Sequence, residues 1–279
     1  MRERRQRLDQ LLVDRGLAES RSRAQALVLA GRVRVGAGDG ARADRKAGDL
    51  VPSDAEVAVV ERDPYVSRGA HKLVAALDAF GIDPAGLVCL DVGASTGGFT
   101  DVLLARGASR VYAVDVGRGQ LAERLRHDPR VISMERTNAR GLSPAIVPEP
   151  IGLAVVDVSF ISLALVLGPI VSRLAPGGRV VPLVKPQFEA GRGVAKGGVV
   201  RDPAVHRSVL EAIARTAEGV GLGTRDVIAS PILGPEGNRE FLLDLRLGSA
   251  NAPDLATRLD AVAATVASVV ATTDAGLPR

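Results

Sequence analysis

Hydrophobic and polar positions divide the chain into a short first segment and a long second segment with a different pattern. In the first segment, apolar residues recur at helical spacing over 7–16 and 24–31, and a glycine ends each run. Ser20 lies just ahead of the second run and is predicted to cap its helix. Charged and apolar residues then alternate over 32–35, which predicts an exposed strand. The first segment is therefore predicted to be a small α+β domain.

Beyond residue 70 the pattern changes to short apolar runs separated by amphipathic ones. Helices are predicted over about 70–80 and 255–270. The apolar runs that predict strands lie at 87–92, 111–114, 131–134, 152–156, 178–185, 223–230 and 241–247. Buried strands that alternate with helices are typical of an α/β fold with a doubly wound, Rossmann-like sheet, which binds ligands at the carboxyl ends of its strands.

Two residues mark the connection between these segments. Pro64 and Gly69 bracket a short stretch without a clear helical or strand period. The predicted organisation is a first domain over 1–62, a linker over 63–70 and a second domain over 71–279.

A glycine-rich segment follows the first predicted strand of the second domain. Its sequence, LDVGASTGGFT (90–100), joins that strand to a run that can be helical. Glycines let a ligand approach the backbone, but the Gly-Lys-Ser/Thr of a phosphate loop and the strict GxGxxG of NAD enzymes are both absent. The segment suits S-adenosylmethionine, which has no pyrophosphate to bind. The alternative is a glycine-rich turn that binds no ligand.

The same layout predicts the residues around such a cofactor. Asp115 ends the second strand, where a carboxylate can accept hydrogen bonds from a ribose. Val116 is expected to pack on the adenine, and Asn138, after the third strand, is expected to lie near its amino edge. The residues expected along the methionine and ribose parts are Asp91, Gly93, Ser95, Thr96, Gly97, Gly98 and Phe99.

Four charged residues stand at positions where apolar strands begin or end, or in the helix before the sheet. Asp157 and Lys185 each follow an apolar strand, Glu240 opens the last one, and Lys72 lies in the helix over 70–80. A lone buried charge is costly, so these side chains are expected to serve a site beside the glycine-rich segment. The alternative is a cluster of ion pairs without catalysis.

Charge is spread unevenly along the chain. Residues 1–46 hold 12 Lys and Arg against 6 Asp and Glu, whereas the remaining residues hold 24 against 26. A basic segment at one end of a near-neutral chain predicts contact with a polyanion.

Other features of the composition exclude several classes of protein. The single cysteine, Cys89, excludes a disulfide framework and a cysteine zinc site, and the spacing of the three histidines suggests no metal. No signal peptide is evident and no apolar run is long enough to span a bilayer, so we expect a cytoplasmic protein without a membrane partner.

The pattern of the first domain resembles a known module. A helix, a Ser-Arg-Ser-Arg cap, a second helix and a Gly-Arg-Val-Arg-Val strand, within residues 6–62, resemble the alpha-L RNA-binding domain of the ribosomal protein S-four type. In that family the second helix and its cap face the RNA. The residues expected to contact RNA are Arg7, Arg21, Arg23, Arg32 and Arg34, with Arg68 from the linker. The alternative is a solvated basic surface.

Several motifs together resemble one family over essentially the whole chain. They are SRGAHKL (67–73), LDVGASTGGFTDVLL (90–104), VVDVSFISL (155–163), LVKPQFE (183–189) and GNREFLL (237–243). With the first domain, they resemble the TlyA family, also labelled hemolysin A, whose catalytic domain is FtsJ-like. The resemblance implies methylation of ribose 2′-hydroxyls of cytidines in ribosomal RNA, with S-adenosylmethionine as cofactor and ribosomal subunits as partners.

Carried onto this sequence, the catalytic tetrad of that family becomes Lys72, Asp157, Lys185 and Glu240. Glu236 is a rival for the last place, but Glu240 directly follows the Gly-Asn-Arg turn. Lys185 is expected to contact and activate the hydroxyl. A lysine acts as a base only in its neutral form, which burial and a neighbouring cation favour. Asp157 is expected to fix the lysines, and Glu240 to position Lys72 or the ribose.

The resemblance leaves further expectations and alternatives. The basic stretch 2–7 resembles longer members that modify both ribosomal subunits, and we expect a monomer. Arg192 and Lys196, in a glycine-rich loop, would either clamp RNA phosphates or be merely solvated. The alternative functions are a non-catalytic RNA-binding factor in ribosome assembly and a membrane-active hemolysin.

Overall fold

The structure is a computed structural model that describes residues 4–36, 45–60, 63–191, 194, 198–234 and 236–274. Internal contacts divide the chain into two compact units, Met1–Pro64 and Tyr65–Arg279. The division falls within the stretch that the sequence predicts to be a linker. Arg192 and Lys196 lie outside the described residues.

The first unit packs two helices against short strand pairs. Its elements are β1 (Arg5–Arg7), α1 (Leu8–Asp14), α2 (Arg21–Leu29), β2 (Val33–Val35), β3 (Leu50–Pro52) and β4 (Val57–Val59). β1 pairs antiparallel with β3, and β2 with β4. Leu8, Leu12 and Val51 are among the residues of its buried core.

Local sequence explains most of these boundaries. The Ser20 side chain accepts the backbone N–H of Arg23 at 3.2 Å, which is the cap that the sequence predicts for α2. The hydrophobic pattern does not predict strand β1, because three residues are too few to show an alternation. Arg7, which the pattern places in the first helix, instead ends β1.

The second unit contains one large sheet and several helices. Its strands are β5 (Val88–Val92), β6 (Arg110–Val114), β7 (Val131–Met134), β8 (Ile151–Val156), β9 (Leu174–Val184), β10 (Leu222–Ala229) and β11 (Phe241–Leu247). Its helices are α3 (Ala70–Phe80), α4 (Gly98–Ala105), α5 (Glu123–Arg126), α6 (Leu167–Val171), α7 (Pro186–Glu189), α8 (Pro203–Gly219) and α9 (Leu255–Asp274). The predicted strands are all present, within a few residues of their predicted bounds.

Strand β9 begins earlier than the sequence predicts. A Pro-Gly-Gly sequence at 176–178 favours a turn, yet Leu174 already pairs with Ile151 of β8. The register shifts between Ile151 and Leu153, which accommodates the irregular start of the strand.

The seven strands form one sheet in the order β10-β11-β9-β8-β5-β6-β7. β5 to β9 run parallel, whereas β11 is antiparallel to both of its neighbours. Alternate residues of β5 face different cores: Leu90 belongs to the core beneath α6, α8 and α9, and Cys89 to the core beneath α3, α4 and α5. The predicted α/β, doubly wound, Rossmann-like sheet is therefore confirmed.

This topology defines the edge of the sheet at which a site can form. The carboxyl ends of β5, β6, β8 and β9 meet there, and the reversed β11 brings its amino end to the same edge. Residues that follow the parallel strands and residues that precede β11 therefore come together.

Candidate active site

The glycine-rich segment turns sharply where β5 meets this edge. Gly93 has φ of +85°, and a Cβ at this position would lie 2.3 Å from the carbonyl oxygen of Asp157. Gly97, at φ of +95°, caps α4, and a Cβ there would lie 2.3 Å from a methyl group of Leu125. Glycine is needed at both positions, because the backbone conformation and the close neighbours exclude a side chain.

Asp91 lies beneath this turn with its side chain fully buried. The Thr100 hydroxyl donates to its Oδ2 at 2.6 Å, and its Oδ1 has no hydrogen-bond partner among the described residues. Burial raises the pKa of Asp91 to about 7, and the nearby Asp157 and Asp115 contribute in the same direction while the Thr100 hydrogen bond opposes it. The unsatisfied oxygen is suited to a donor group on a ligand.

Asp115 holds the glycine-rich segment against the end of β6. Its two carboxylate oxygens accept the backbone N–H groups of Ser95 at 2.8 Å and Gly117 at 2.7 Å. Ser95 itself has φ of +47°, which is uncommon for a residue with a side chain. The carboxylate is half-buried and keeps lone pairs for further donors.

Two adjoining cavities lie along this segment. The larger, of about 390 Å³, is lined by Gly93, Ser95, Asp115, Val116, Asn138 and Asp157, with others. The smaller, of about 120 Å³, is lined by Thr96, Gly98 and Phe99, and it shares Gly93, Ser95 and Asp157 with the larger one. The predicted cofactor residues thus line one or both cavities, except Asp91 and Gly97, which do not line either of them.

The lining of these cavities fits a nucleoside that carries an amino acid. Asp115 offers carboxylate acceptors to a ribose, and the 71% exposed Val116 offers an apolar surface to a base. Asn138 is exposed, and its side-chain oxygen already accepts the backbone N–H of Arg140 at 3.0 Å. The glycine backbone at Gly93, which lines both cavities, leaves the space that S-adenosylmethionine would require.

Two lysine–carboxylate pairs stand at the same edge of the sheet. Lys72 of α3 and Glu240 approach to 2.5 Å between Nζ and Oε2, and both side chains are buried. Lys185 and Asp157 approach to 2.5 Å between Nζ and Oδ1. Lys185 also donates to the Ser159 hydroxyl at 2.8 Å.

The register of the sheet relates these pairs. Phe241 pairs with Val184 across β11 and β9, so Glu240 and Lys185 are the next residues along each strand. Asp157 follows β8, which is the neighbour of β9 on the other side. All four residues of the predicted tetrad therefore lie at one edge, beside the cavity that Asp157 lines.

The rival glutamate lies elsewhere. Glu236 is exposed, and its Oε2 lies 3.0 Å from where a Cβ on Gly198 would stand. Glu240 is 1% exposed, and its Oε1 has no hydrogen-bond partner among the described residues. The contact with Lys72 favours Glu240 as the fourth member of the tetrad.

In the first unit, a buried carboxylate organises part of the predicted basic surface. Asp9 is fully buried and accepts hydrogen bonds from Arg7 at 2.9 and 3.0 Å, from Arg21 at 3.3 Å and from Gln25 at 2.9 Å. The Arg7 guanidinium above all holds the pKa of Asp9 far below its ordinary value. The two arginines keep about half of their side-chain surface exposed. Sequence reasoning misses this support because a lone aspartate in a short helix carries no recognisable signal.

The remaining predicted basic residues differ in how they are held. Arg32 donates to the carbonyl oxygen of Val60 at 3.1 Å. Arg23, in the first turn of α2, and Arg34, on β2, are exposed, and their side chains make no polar contact within the described part of the chain. Arg68 is exposed just ahead of α3 in the second unit.

Comparison with known proteins places the chain in a family. Residues 65–247 match the FtsJ-like methyltransferase family, and residues 6–37 match the S4 domain. A protein of Mycobacterium tuberculosis, named 16S/23S rRNA (cytidine-2′-O)-methyltransferase TlyA, is 52% identical over 245 residues, which cover 87% of this chain and 90% of that protein. The chain belongs to the TlyA family of FtsJ-like methyltransferases.

Two more members of the TlyA family carry a different name. Hemolysin A of Brachyspira hyodysenteriae is 42% identical over 238 residues, which cover 85% of this chain and 98% of that protein. The solved structure of a candidate hemolysin from Streptococcus thermophilus superposes with a TM-score of 0.75 at 41% identity, over 98% of this chain and 99% of that one. The predicted family and its two-part fold are confirmed. Within the described residues, no helix has both the length and the apolar character of a membrane span.

Two polar residues of the TlyA-family motifs have contacts that sequence reasoning does not anticipate. Ser159, in VVDVSFISL, accepts a hydrogen bond from Lys185, and Glu189, at the end of LVKPQFE, accepts one from Ser162. The candidate residues are selected because they stand directly at strand ends, and neither Ser159 nor Glu189 does so. A search for polar residues within four positions of a strand-end charge would find both.

Proposed function

We propose that the chain transfers a methyl group from S-adenosylmethionine to the ribose 2′-hydroxyl of cytidine in ribosomal RNA. The observation that carries this proposal is the pairing of Lys185 with Asp157, and of Lys72 with Glu240, at the edge where the glycine-rich segment forms a cavity. Family membership and the S4 domain match support the same substrate class.

Different residues of the predicted cofactor site would contact different parts of the ligand. Asp115 would bind the ribose hydroxyls and Val116 would pack on the base, whereas Asp91, buried beneath the turn, would support the glycine-rich segment that faces the amino-acid part. When bound, S-adenosylmethionine supplies a methyl group on a positively charged sulfur. Gly93 lines both cavities and would keep the backbone close to the ligand, so the ligand position would be set by rigid elements rather than by mobile side chains.

Lys185 is the residue that we assign to the ribose hydroxyl. An amino group has few hydrogen-bonding directions: Nζ donates to the Ser159 hydroxyl, and Asp157 Oδ1, its ion-pair partner, lies 2.5 Å away on another side. The remaining direction contacts the 2′-oxygen. In its neutral form Lys185 would accept the hydroxyl proton as the 2′-oxygen bonds to the methyl carbon and the bond from that carbon to the cofactor sulfur breaks, which leaves a neutral thioether. Asp157 would stabilise the ammonium that results.

Lys72 and Glu240 support this arrangement from the other side of β9. Their buried contact holds α3 on the amino end of β11, next to Lys185. A buried carboxylate without this cation would be strongly destabilising, so the pair also fixes the local backbone.

The first unit supplies the contact with RNA phosphates. Arg23 and Arg34 are exposed, while Arg7 and Arg21 are held by Asp9 with part of each side chain exposed. Arg7 and Arg21, whose guanidinium groups are already held, can bind phosphates with little loss of side-chain entropy, and Arg23 and Arg34 add exposed positive charge. The name of the Mycobacterium tuberculosis relative refers to both 16S and 23S RNA, and we propose that both subunits are substrates of this chain as well.

The experiment compares the wild-type protein with Lys185→Ala and Lys185→Arg. Cofactor binding is measured by calorimetry, and methyl transfer is measured on unmodified small and large ribosomal subunits. We expect all three proteins to bind S-adenosylmethionine with similar affinity and only the wild type to methylate. A guanidinium does not release its proton near neutral pH, so arginine should not replace the lysine.

Other results would favour the alternative functions. Cofactor binding without methylation of either subunit by the wild type would favour a non-catalytic assembly factor. Release of dye from phospholipid vesicles by the purified protein would favour the membrane activity that the hemolysin names suggest. Substantial turnover by Lys185→Arg would leave Lys185 only an electrostatic role.

A further inference from the structure

Two segments that follow neighbouring strands, a loop after β8 and the short helix α7 after β9, hold or adjoin the reacting groups of the proposed site. The β8 loop (157–163) holds Asp157 and Ser159, and α7 (Pro186–Glu189) follows Lys185 directly at the end of β9. The strands are hydrogen-bonded, but that pairing stops before the loops begin. The backbone N–H of Asp157 still donates to the carbonyl oxygen of Val92 at 2.8 Å, so contacts between the β8 loop and α7 act on the part of the loop beyond Asp157 and on the side chains that face Lys185.

Glu189 makes two such contacts at the far end of α7. Its Oε2 accepts the Ser162 hydroxyl at 2.7 Å, and its Oε1 accepts the backbone N–H of Leu163 at 2.8 Å. Hydrogen bonds to an ionised carboxylate are stronger than neutral ones, and two of them fix orientation as well as distance. Ser162 also accepts the N–H of Ala164 at 3.2 Å and so begins a short 3₁₀ helix.

An aromatic contact reinforces the same junction. The rings of Phe160, in the β8 loop, and Phe188, in α7, lie 4.8 Å apart between centroids at an angle of 49°. Phe160 has φ of +62°, a conformation that a bulky side chain rarely adopts, and it is 89% exposed, so the Phe188 ring is its main packing contact. The β8 loop thus contacts the segment 185–189 at three places: at Lys185, at the ring of Phe188 and at the carboxylate of Glu189.

We propose that Glu189 is a positioning residue for methyl transfer, which acts by fixing the β8 loop against α7. Its two hydrogen bonds fix the part of the loop beyond Asp157, which holds Ser159, and through Ser159 the direction of the Lys185 amino group. This role rests on the proposed function of Asp157 and Lys185. Small displacements of reacting groups are costly: a shift of about 1 Å can reduce a rate by on the order of a hundredfold.

The test measures steady-state methylation of ribosomal subunits by Glu189→Ala, Glu189→Gln, Ser162→Ala and the double variant Glu189→Ala/Ser162→Ala. Glu218→Ala, at an exposed position on α8, is the matched control. We expect Glu189→Ala to lower kcat at least about tenfold, with KM for the subunits changed less than about threefold. Glutamine keeps one acceptor oxygen and should retain an intermediate kcat, and the control should match the wild type.

The double variant separates positioning from a general loss of stability. If both single variants break one junction, the double variant should be no slower than Glu189→Ala, because the effects of coupled residues do not add. Thermal unfolding is recorded for every variant. If Glu189→Ala does not fold, kcat and KM of Glu189→Gln and Ser162→Ala are compared with those of the wild type instead.

Failure of this inference is distinguishable from failure of the proposed function. An inactive Lys185→Ala beside a fully active Glu189→Ala would overturn the positioning role alone. The positioning role would also be overturned if the losses of kcat in the two single variants were additive in the double variant and ran parallel to the falls in melting temperature. An active Lys185→Ala would overturn the proposed site, and the role of Glu189 with it.

Discussion

Lys72 and Glu240 are 168 positions apart in the chain, yet their side chains meet at 2.5 Å in a buried contact. The reversed direction of β11 brings this about, since its amino end lies at the edge of the sheet where the parallel strands end. An ion pair so far from water is costly to form unless both partners are present. Its position next to Lys185 links the packing of α3 to the proposed chemistry.

This contact predicts different outcomes for two nearby glutamates. Glu240→Gln should leave Lys72 without its anionic partner, at a cost of about 3–5 kcal/mol in the free energy of unfolding, and should abolish methyl transfer. Glu236→Gln, at an exposed position, should leave both quantities near their wild-type values. Urea unfolding and the methylation assay on ribosomal subunits check these results. Full activity in Glu240→Gln would exclude this residue from the tetrad.

The close approach at Gly93 gives a second prediction. An alanine Cβ at this position would collide with the carbonyl oxygen of Asp157, so Gly93→Ala should displace the β8 loop and weaken S-adenosylmethionine binding at least about tenfold. Gly248→Ala is the control, because Gly248 also has positive φ, +73°, but a Cβ there would have no neighbour within 4 Å. Calorimetric titration measures both. Wild-type affinity in Gly93→Ala would show that the close approach to Asp157 is not needed for cofactor binding.

The buried carboxyl of Asp91 predicts a pH dependence of stability. Its pKa of about 7 lies above the ordinary value of 3.8, so between about pH 4 and 7 the native protein keeps a proton that the unfolded chain has lost. Wild-type stability should therefore fall as pH rises through this interval, and Asp91→Asn should lack this contribution. From about pH 5 to 8, the difference in free energy of unfolding should shift in favour of the variant by at least about 1 kcal/mol.

Circular dichroism is the appropriate probe of this effect, since the chain has no Trp. Thr100→Val serves as a comparison, because it removes the hydrogen bond to Asp91 but keeps the carboxyl group. A pH-independent difference between Asp91→Asn and the wild type would show that Asp91 is ionised in the native protein throughout this range.

Much of the fold follows from the sequence because strand ends, helix caps and glycine turns are local signals. The apolar run before Asp157 and the Ser20 cap each depend on a few adjacent residues, and the structure has both where the pattern predicts them. The pairing of Lys72 with Glu240 cannot be derived from local pattern, since it depends on the direction of β11. From the sequence alone, Glu240 is therefore expected to position either Lys72 or the ribose, and local pattern does not decide between the two.

Other parts of the site lack any local signal. Asp9 is one acidic residue in a basic segment, and only the tertiary structure places two arginines and a glutamine around it. The contacts of Glu189 join two loops that are separated by an entire strand and helix. Such contacts arise from packing and not from spacing, so they become visible only in the folded chain.

The exposed arginines of the first unit give a prediction for RNA binding. Each phosphate contact releases counterions, so removing two arginines should reduce the slope of log affinity against log salt by about 1 each. Arg23→Ala/Arg34→Ala should show this loss with cofactor affinity unchanged. Arg215→Ala, on α8 of the second unit, is the control. An unchanged slope in the double variant would place the RNA contacts elsewhere.

The identity of the methylated atom tests the central claim most directly. Unmodified ribosomal subunits are incubated with the protein and S-adenosylmethionine, and their RNA is digested to nucleosides for mass spectrometry, with Lys185→Ala as the control. We predict that the wild type produces cytidine carrying the methyl group on its ribose 2′-oxygen and that Lys185→Ala produces none. A methyl group on a base, or the same 2′-O-methylcytidine from Lys185→Ala, would contradict the account.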